Sequence, residues 1–225
     1  MKIGILTTGH IPDQMAEIGN YEAQFRRLLD GQGFDFVNYN VVDGDFPASV
    51  VDAEGWLITG SKHGAYEDHP WIPPLEDFIR GAYEAGVPLV GVCFGHQIVA
   101  QALGGKVEKF KDGWSLGRTE YDFGGETLAL NAWHQDQVVE KPALAETVAS
   151  TDFCAHAALV YGDRAFTVQP HPEFESEFIG GLIEARGGVV PADLVAVARD
   201  NLDKPNSNAV LAERIGRFFR ERRLA

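Results

Sequence analysis

The chain has 225 residues, 45% of them hydrophobic and 23% charged, with a formal net charge of −14. This is a globular composition, long enough for one sizeable α/β domain. The acidity argues against a nucleic-acid partner, which calls for a basic face, and no apolar run approaches the roughly 20 residues of a membrane helix.

Residues 2–7 read as an opening strand rather than as a signal peptide, having neither the length nor the cleavage site of one. A helix is expected over 21–31 with Phe25, Leu28 and Leu29 inward, then strands over 34–42 and 56–59, the last ending at Gly60. A helix over 73–85 carries proline in its first turn and stops at Gly86. Residues 87–92 form a short apolar run, the pattern of a strand buried on both faces, and the helical pattern of Ile98, Val99, Ala102 and Leu103 follows. This alternation predicts parallel strands joined by crossover helices. Between 105 and 170 the pattern changes to short strand-like runs at 107–110, 119–123, 127–130, 147–150, 157–161 and 165–169, with turn signals at Gly124-Gly125 and Gly162-Asp163. Helices are expected over 174–185, 191–202 and 208–222. The expected fold is α/β, with an antiparallel or mixed part, in one domain over residues 1–225. The basic cluster Arg214, Arg217, Arg220, Arg222 and Arg223 reads as the solvated face of the last helix.

The chemistry concentrates at the strand-to-helix turn Gly91-Val92-Cys93-Phe94-Gly95. A nucleophile between two glycines at such a turn is pushed into the open at a sheet edge, because a sharp turn leaves no room for a neighbouring Cβ. The helix that begins there favours a thiolate through its N-terminal dipole. A thiol still needs a base. The best candidate lies in Gln169-Pro170-His171-Pro172-Glu173, where the residues before each proline are pushed toward extended backbone. Residues two apart in an extended segment point to one side, so Glu173 can reach the far nitrogen of His171. Cys93, His171 and Glu173 thus form a candidate nucleophile, base and orienter.

These motifs, Gly91-Val-Cys93-Phe-Gly-His-Gln97 with His171-Pro-Glu173 downstream, resemble those of the class I (triad) glutamine amidotransferases over about residues 1–185, leaving 186–225 as a helical extension. The resemblance implies a flavodoxin-like, doubly wound, mostly parallel sheet with an additional smaller antiparallel sheet. It implies that Cys93 attacks a γ-glutamyl amide, that His171 protonates the departing ammonia, and that water releases glutamate from a γ-glutamyl thioester. It places oxyanion donors at the backbone of Phe94 and Gly60, with Thr59 standing where relatives often carry a first glycine. It places substrate contacts at Gln97, His134, Gln135 and Asp136, with Gln135 replacing the glycine of many relatives. The segments 60–66, 93–97 and 133–138 are also similar to those of stand-alone γ-glutamyl peptidases. The leading expectation is therefore a glutamine-hydrolysing domain, with a synthetase as a possible ammonia-accepting partner; the alternatives are a γ-glutamyl peptide hydrolase and a non-catalytic protein on the same fold.

No cofactor and no metal are expected, there being neither a CxxC pair nor HExxH. Two cysteines in different contexts point to a reducing, cytoplasmic setting. His96 and Cys154 read as packed core residues. His63, His69 and Trp71 are read with equal weight as an active-site rim or as a polar surface loop, and His10 carries no signal.

Overall fold

The computed structural model describes residues 1–224. Its centre is a seven-stranded sheet built from β1 (Lys2–Leu6), β2 (Asp35–Tyr39), β3 (Gly55–Ile58), β4 (Leu89–Val92), β9 (Glu146–Ala149), β10 (Ala158–Tyr161) and β11 (Ala165–Val168), in the order β2-β1-β3-β4-β11-β10-β9. Neighbours from β2 through β11 pair in parallel, whereas β10 runs antiparallel to both β11 and β9. The first five strands follow the doubly wound order in which ligands bind beyond the carboxyl ends of the strands.

The alternation of side chains decides which helix covers which face. Leu6, Trp56, Ile58 and Leu89 pack with Leu75 and Ile79 of α2 (Ile72–Ala85) and with Ile98 and Val99 of α3 (Phe94–Ala102). Position 4 also faces that side, and only glycine fits there because a Cβ would collide with the Trp56 ring. Ile3, Ile5, Leu57, Val90 and Val92 face the other way, against Phe25 of α1 (Tyr21–Leu28) and Leu211, Ile215, Phe218 and Phe219 of α6 (Asn208–Glu221). The last helix is thus a structural layer of the sheet. Its Arg214 pairs with Glu126, and Arg222, just beyond its end, donates to the carbonyls of Gly86 (3.0 Å) and Asp163 (3.2 Å).

Element ends follow local chemistry. The Asn20 side chain accepts from the Ala23 N–H (2.9 Å) at the start of α1. Gly86 closes α2 in the left-handed region at φ 73°.

The strand-rich middle supplies the smaller antiparallel part of the fold as two separate two-stranded ladders, β5 (Lys106–Lys109) with β8 (Asp136–Glu140) and β6 (Ser115–Asp122) with β7 (Thr127–His134), while β9, β10 and β11 join the main sheet. Strand β8 carries little apolar sequence between charged ends, which hides it from pattern reading. A third apolar cluster gathers Phe178 and Leu182 of α4 (Ser176–Arg186) and Ala198 of α5 (Ala192–Asp200) with Tyr21, Leu116 and Phe174.

Candidate active site

Strand β4 ends at Val92, and Cys93 turns the chain into α3 with φ 52° and ψ −104°. A non-glycine residue at positive φ costs energy, so its neighbours must enforce it. The Cys93 N–H donates to the Val168 carbonyl of β11 (2.9 Å), and the Gly95 N–H donates to the Thr59 carbonyl beyond β3 (3.1 Å). A Cβ on Gly91 would collide with the Gly95 carbonyl, and one on Gly95 with the Ile58 carbonyl. Both glycines that bracket Cys93 are therefore sterically required.

Strand β11 lies directly beside β4, so the turn that follows it reaches the same end of the sheet. The His171 N–H donates to the Asn131 carbonyl of β7 (2.8 Å). Its Nδ1 lies 2.7 Å from Glu173 Oε1, with both side chains almost wholly buried. Phe174 covers the ring face, with centroids 3.9 Å apart and planes at 4°. Asn131 and Asn208 each donate a side-chain amide to the Phe174 carbonyl (2.8 and 3.2 Å), which holds this turn in place. Burial works against a charged imidazole. The Glu173 carboxylate and the Cys93 sulfur outweigh it, raising the pKa of His171 to about 10.

Gly60 closes the gap between these groups. A Cβ there would stand 2.9 Å from His171 Cε1 and 3.6 Å from Cys93 Cβ. The Thr59 hydroxyl accepts from the Thr8 N–H (3.1 Å), and the Thr8 hydroxyl donates to the Gly60 carbonyl (3.0 Å), so the loop after β3 is anchored to the end of β1. Phe94 is the first residue of α3, so its N–H has no partner one turn earlier in the helix.

Cys93 and His171 line a cavity of about 460 Å³, as do Gln97, His134, Gln135 and Asp136. The segment 133–136 is not a loop: β7 runs through His134, Gln135 makes the bend, and β8 begins at Asp136. The Gln97 amide donates to the Asp136 carbonyl (2.9 Å) and to Gln169 Oε1 (3.1 Å), and the Gln135 amide donates to the Phe110 carbonyl (3.3 Å). His134 Nδ1 lies 3.2 Å from the Asp136 carbonyl oxygen, and burial depresses its pKa to about 3. Burial raises Asp136 above the usual carboxylate range, against the pull of the Tyr66 hydroxyl and Lys109.

Several lining residues escape sequence reasoning: Tyr21, Trp114, Phe174 and Arg186. They come from elements far apart in the chain, whereas Tyr66, also in the lining, closes the 60–66 segment already singled out. Of the undecided rim residues, His63 lines the cavity, and Trp71 is buried against Phe94 with ring centroids 5.4 Å apart. His96 is fully buried and pairs with the Thr167 hydroxyl (2.8 Å). Cys154 is a free, buried thiol within the core, and His10 makes an exposed pair with Asp43.

The family model of the class-I glutamine amidotransferases matches residues 23–184, and the chain belongs to this family. It is similar to γ-glutamyl peptidase 4 of Arabidopsis thaliana, with 29% identity over 222 residues that cover 91% of this chain and 88% of that one. It is also similar to the glutamine-hydrolyzing GMP synthase of Clostridium novyi, 36% identical over 134 residues, but the match spans 55% of this chain and only 25% of that enzyme. The crystal structure of a glutamine amidotransferase from Thermotoga maritima superposes with a TM-score of 0.71 over 98% of this chain and 97% of its own. At 22% identity that likeness speaks for the fold alone. Among the described residues, no helix is long and apolar enough to cross a membrane.

Proposed function

We propose that the protein hydrolyses the γ-glutamyl C–N bond of a small γ-glutamyl peptide through a cysteine thioester. The observation that carries this reading is the convergence of Cys93 and His171 on one cavity beyond the carboxyl ends of β3, β4 and β11, with Glu173 buried against the imidazole. The Cys93 sulfur attacks the γ-carbonyl carbon. Charge that develops on the oxygen meets the N–H groups of Phe94 and Gly60, which cost nothing to reorient at the moment of reaction. His171 carries the proton that the departing amine needs, and the C–N bond breaks to leave a γ-glutamyl thioester. Water then gives its proton to His171 and attacks the thioester, releasing glutamate and restoring the thiol. Glu173 holds the imidazole in one tautomer and offsets its charge. Asp136 supplies a negative charge for the substrate's α-amino group, with Gln97, His134 and Gln135 beside it.

Two findings support a peptide as substrate. The similarity to γ-glutamyl peptidase 4 runs nearly the full length of both chains. The cavity, at about 460 Å³, has the size of sites that take ligands larger than one amino acid, and Trp114, Trp133 and Leu182 offer apolar surface for the leaving amine.

A second reading, with glutamine as the amide and ammonia passed to a synthetase, draws on the match to one quarter of the GMP synthase. A panel of glutamine and γ-glutamyl dipeptides separates the two, with glutamate and the released amine both measured. Faster turnover of dipeptides is the expected result; faster turnover of glutamine supports the second reading. Cys93→Ala is expected to abolish all of it, and full activity in that variant would end the mechanism.

A further inference from the structure

We propose that His63, Glu67 and His69 form a binding site for a divalent transition-metal ion of the Zn²⁺ type on the wall of the cavity that contains Cys93. Spacing alone did not announce it, because His-x3-Glu-x-His matches no common ligand pattern. Folding of the 62–71 loop brings one ligand atom each of His63, Glu67 and His69 within 4.8 Å of one another. Two imidazoles and a carboxylate are the donor set that Zn²⁺ takes in three-ligand sites, with a further position left for water.

The donors are held rather than scattered. The loop is stitched by its own backbone bonds, from the Glu67 N–H to the Gly64 carbonyl (3.1 Å), from the His69 N–H to the Glu67 carbonyl (3.1 Å) and from the Ile72 N–H to the His69 carbonyl (3.0 Å). The two imidazole rings meet edge to face with centroids 4.3 Å apart, and His69 stacks on Trp71 at 11°. Trp71 in turn packs on Phe94, the residue after Cys93. Glu67 Oε2 sits 2.7 Å from His69 Nε2 and 3.4 Å from His63 Nδ1. Ligand atoms around a tetrahedral ion with bonds of 2.0–2.1 Å stand about 3.3 Å apart, so ligation asks Glu67 and His69 to part slightly and the two histidines, within 4.8 Å of each other, to settle at that spacing.

His63 and Glu67 both line the cavity, so a bound ion stands where substrate passes.

Thiolates bind Zn²⁺ readily, so the test uses Cys93→Ala protein as its background. Calorimetric titration with Zn²⁺ near neutral pH is expected to give one equivalent, and Co²⁺ in its place visible bands without thiolate charge transfer. His63→Ala and His69→Ala in that background are each expected to weaken binding at least about tenfold, while Asp68→Ala leaves it unchanged. Metal-free melting curves check that each variant folds. Should a histidine variant fail that check, Glu67→Gln, which keeps the shape but removes the charge, is expected to weaken binding in the same direction. No saturable Zn²⁺ binding in the Cys93→Ala protein, or binding indifferent to every folded loop variant, overturns the proposal.

Discussion

The Tyr66 hydroxyl donates to Asp136 Oδ1 across 3.2 Å, joining the loop after β3 to the first residue of β8 at the rim of the cavity. The hydrogen bond holds the carboxylate in place at that rim. Asp136→Asn is expected to raise KM for a γ-glutamyl substrate about 10- to 100-fold, the worth of a hydrogen bond to a charged group, with kcat changed much less. Tyr66→Phe, which frees the carboxylate without removing it, is expected to give the smaller rise. Steady-state kinetics on both variants check this, and an unchanged KM in Asp136→Asn would remove Asp136 from substrate binding.

The backbone of Cys93, at φ 52°, predicts an inversion of the usual order of stabilities. Alanine keeps the Cβ that makes this conformation costly, whereas glycine removes it. Cys93→Gly is expected to be more stable than Cys93→Ala by about 1 kcal/mol, although both lack hydrolysis. Urea denaturation of the two proteins decides the matter; alanine equal to or above glycine means that the elbow is not strained.

Gly60→Ala would place a methyl group 2.9 Å from His171 Cε1. The ring is pinned by Glu173 and Phe174 and cannot retreat freely. The expected cost is about 1–3 kcal/mol of stability and at least about 100-fold in hydrolysis, since a displacement near 1 Å suffices for that. Gly188→Ala, with open space at its Cβ position, serves as the control and should leave the rate unchanged.

Burial holds the pKa of His96 at about 3, so the imidazole is neutral when folded and titrates normally when unfolded. Such a group contributes stability that is present above about pH 6.5 and lost as pH falls, at up to about 1.4 kcal/mol per pH unit. His134 acts in the same sense. His171 acts in the opposite one: with a folded pKa of about 10, its contribution is complete below pH 6.5 and lost as pH rises through 10. His96→Asn is therefore expected to flatten the fall of unfolding free energy between about pH 6 and pH 4. Chemical denaturation across that range checks it, and an unaltered slope would mean that His96 takes up a proton in the folded protein.

Much of this architecture was legible in the chain before folding. The apolar run before Cys93, the glycines around it and the two prolines around His171 are local signals, and the elements they imply stand within a few residues of where they were expected. The identity of the candidate triad follows from side-chain chemistry, which does not depend on distance along the chain. What remained hidden depends on pairing. That β11 inserts beside β4 is settled by which strands can bury their faces together, and this alone carries His171 to Cys93. Strand β8 forms because β5 offers it a partner, not because its own pattern demands it. The last helix completes the sheet because the face made by Ile3, Ile5 and Leu57 needs covering. His63, Glu67 and His69 meet only because backbone bonds curl their loop and Trp71 gives one of their rings a surface to rest on. Sequence determined the groups and the local turns that present them; the burial of surfaces remote in the chain decided which of those groups face each other.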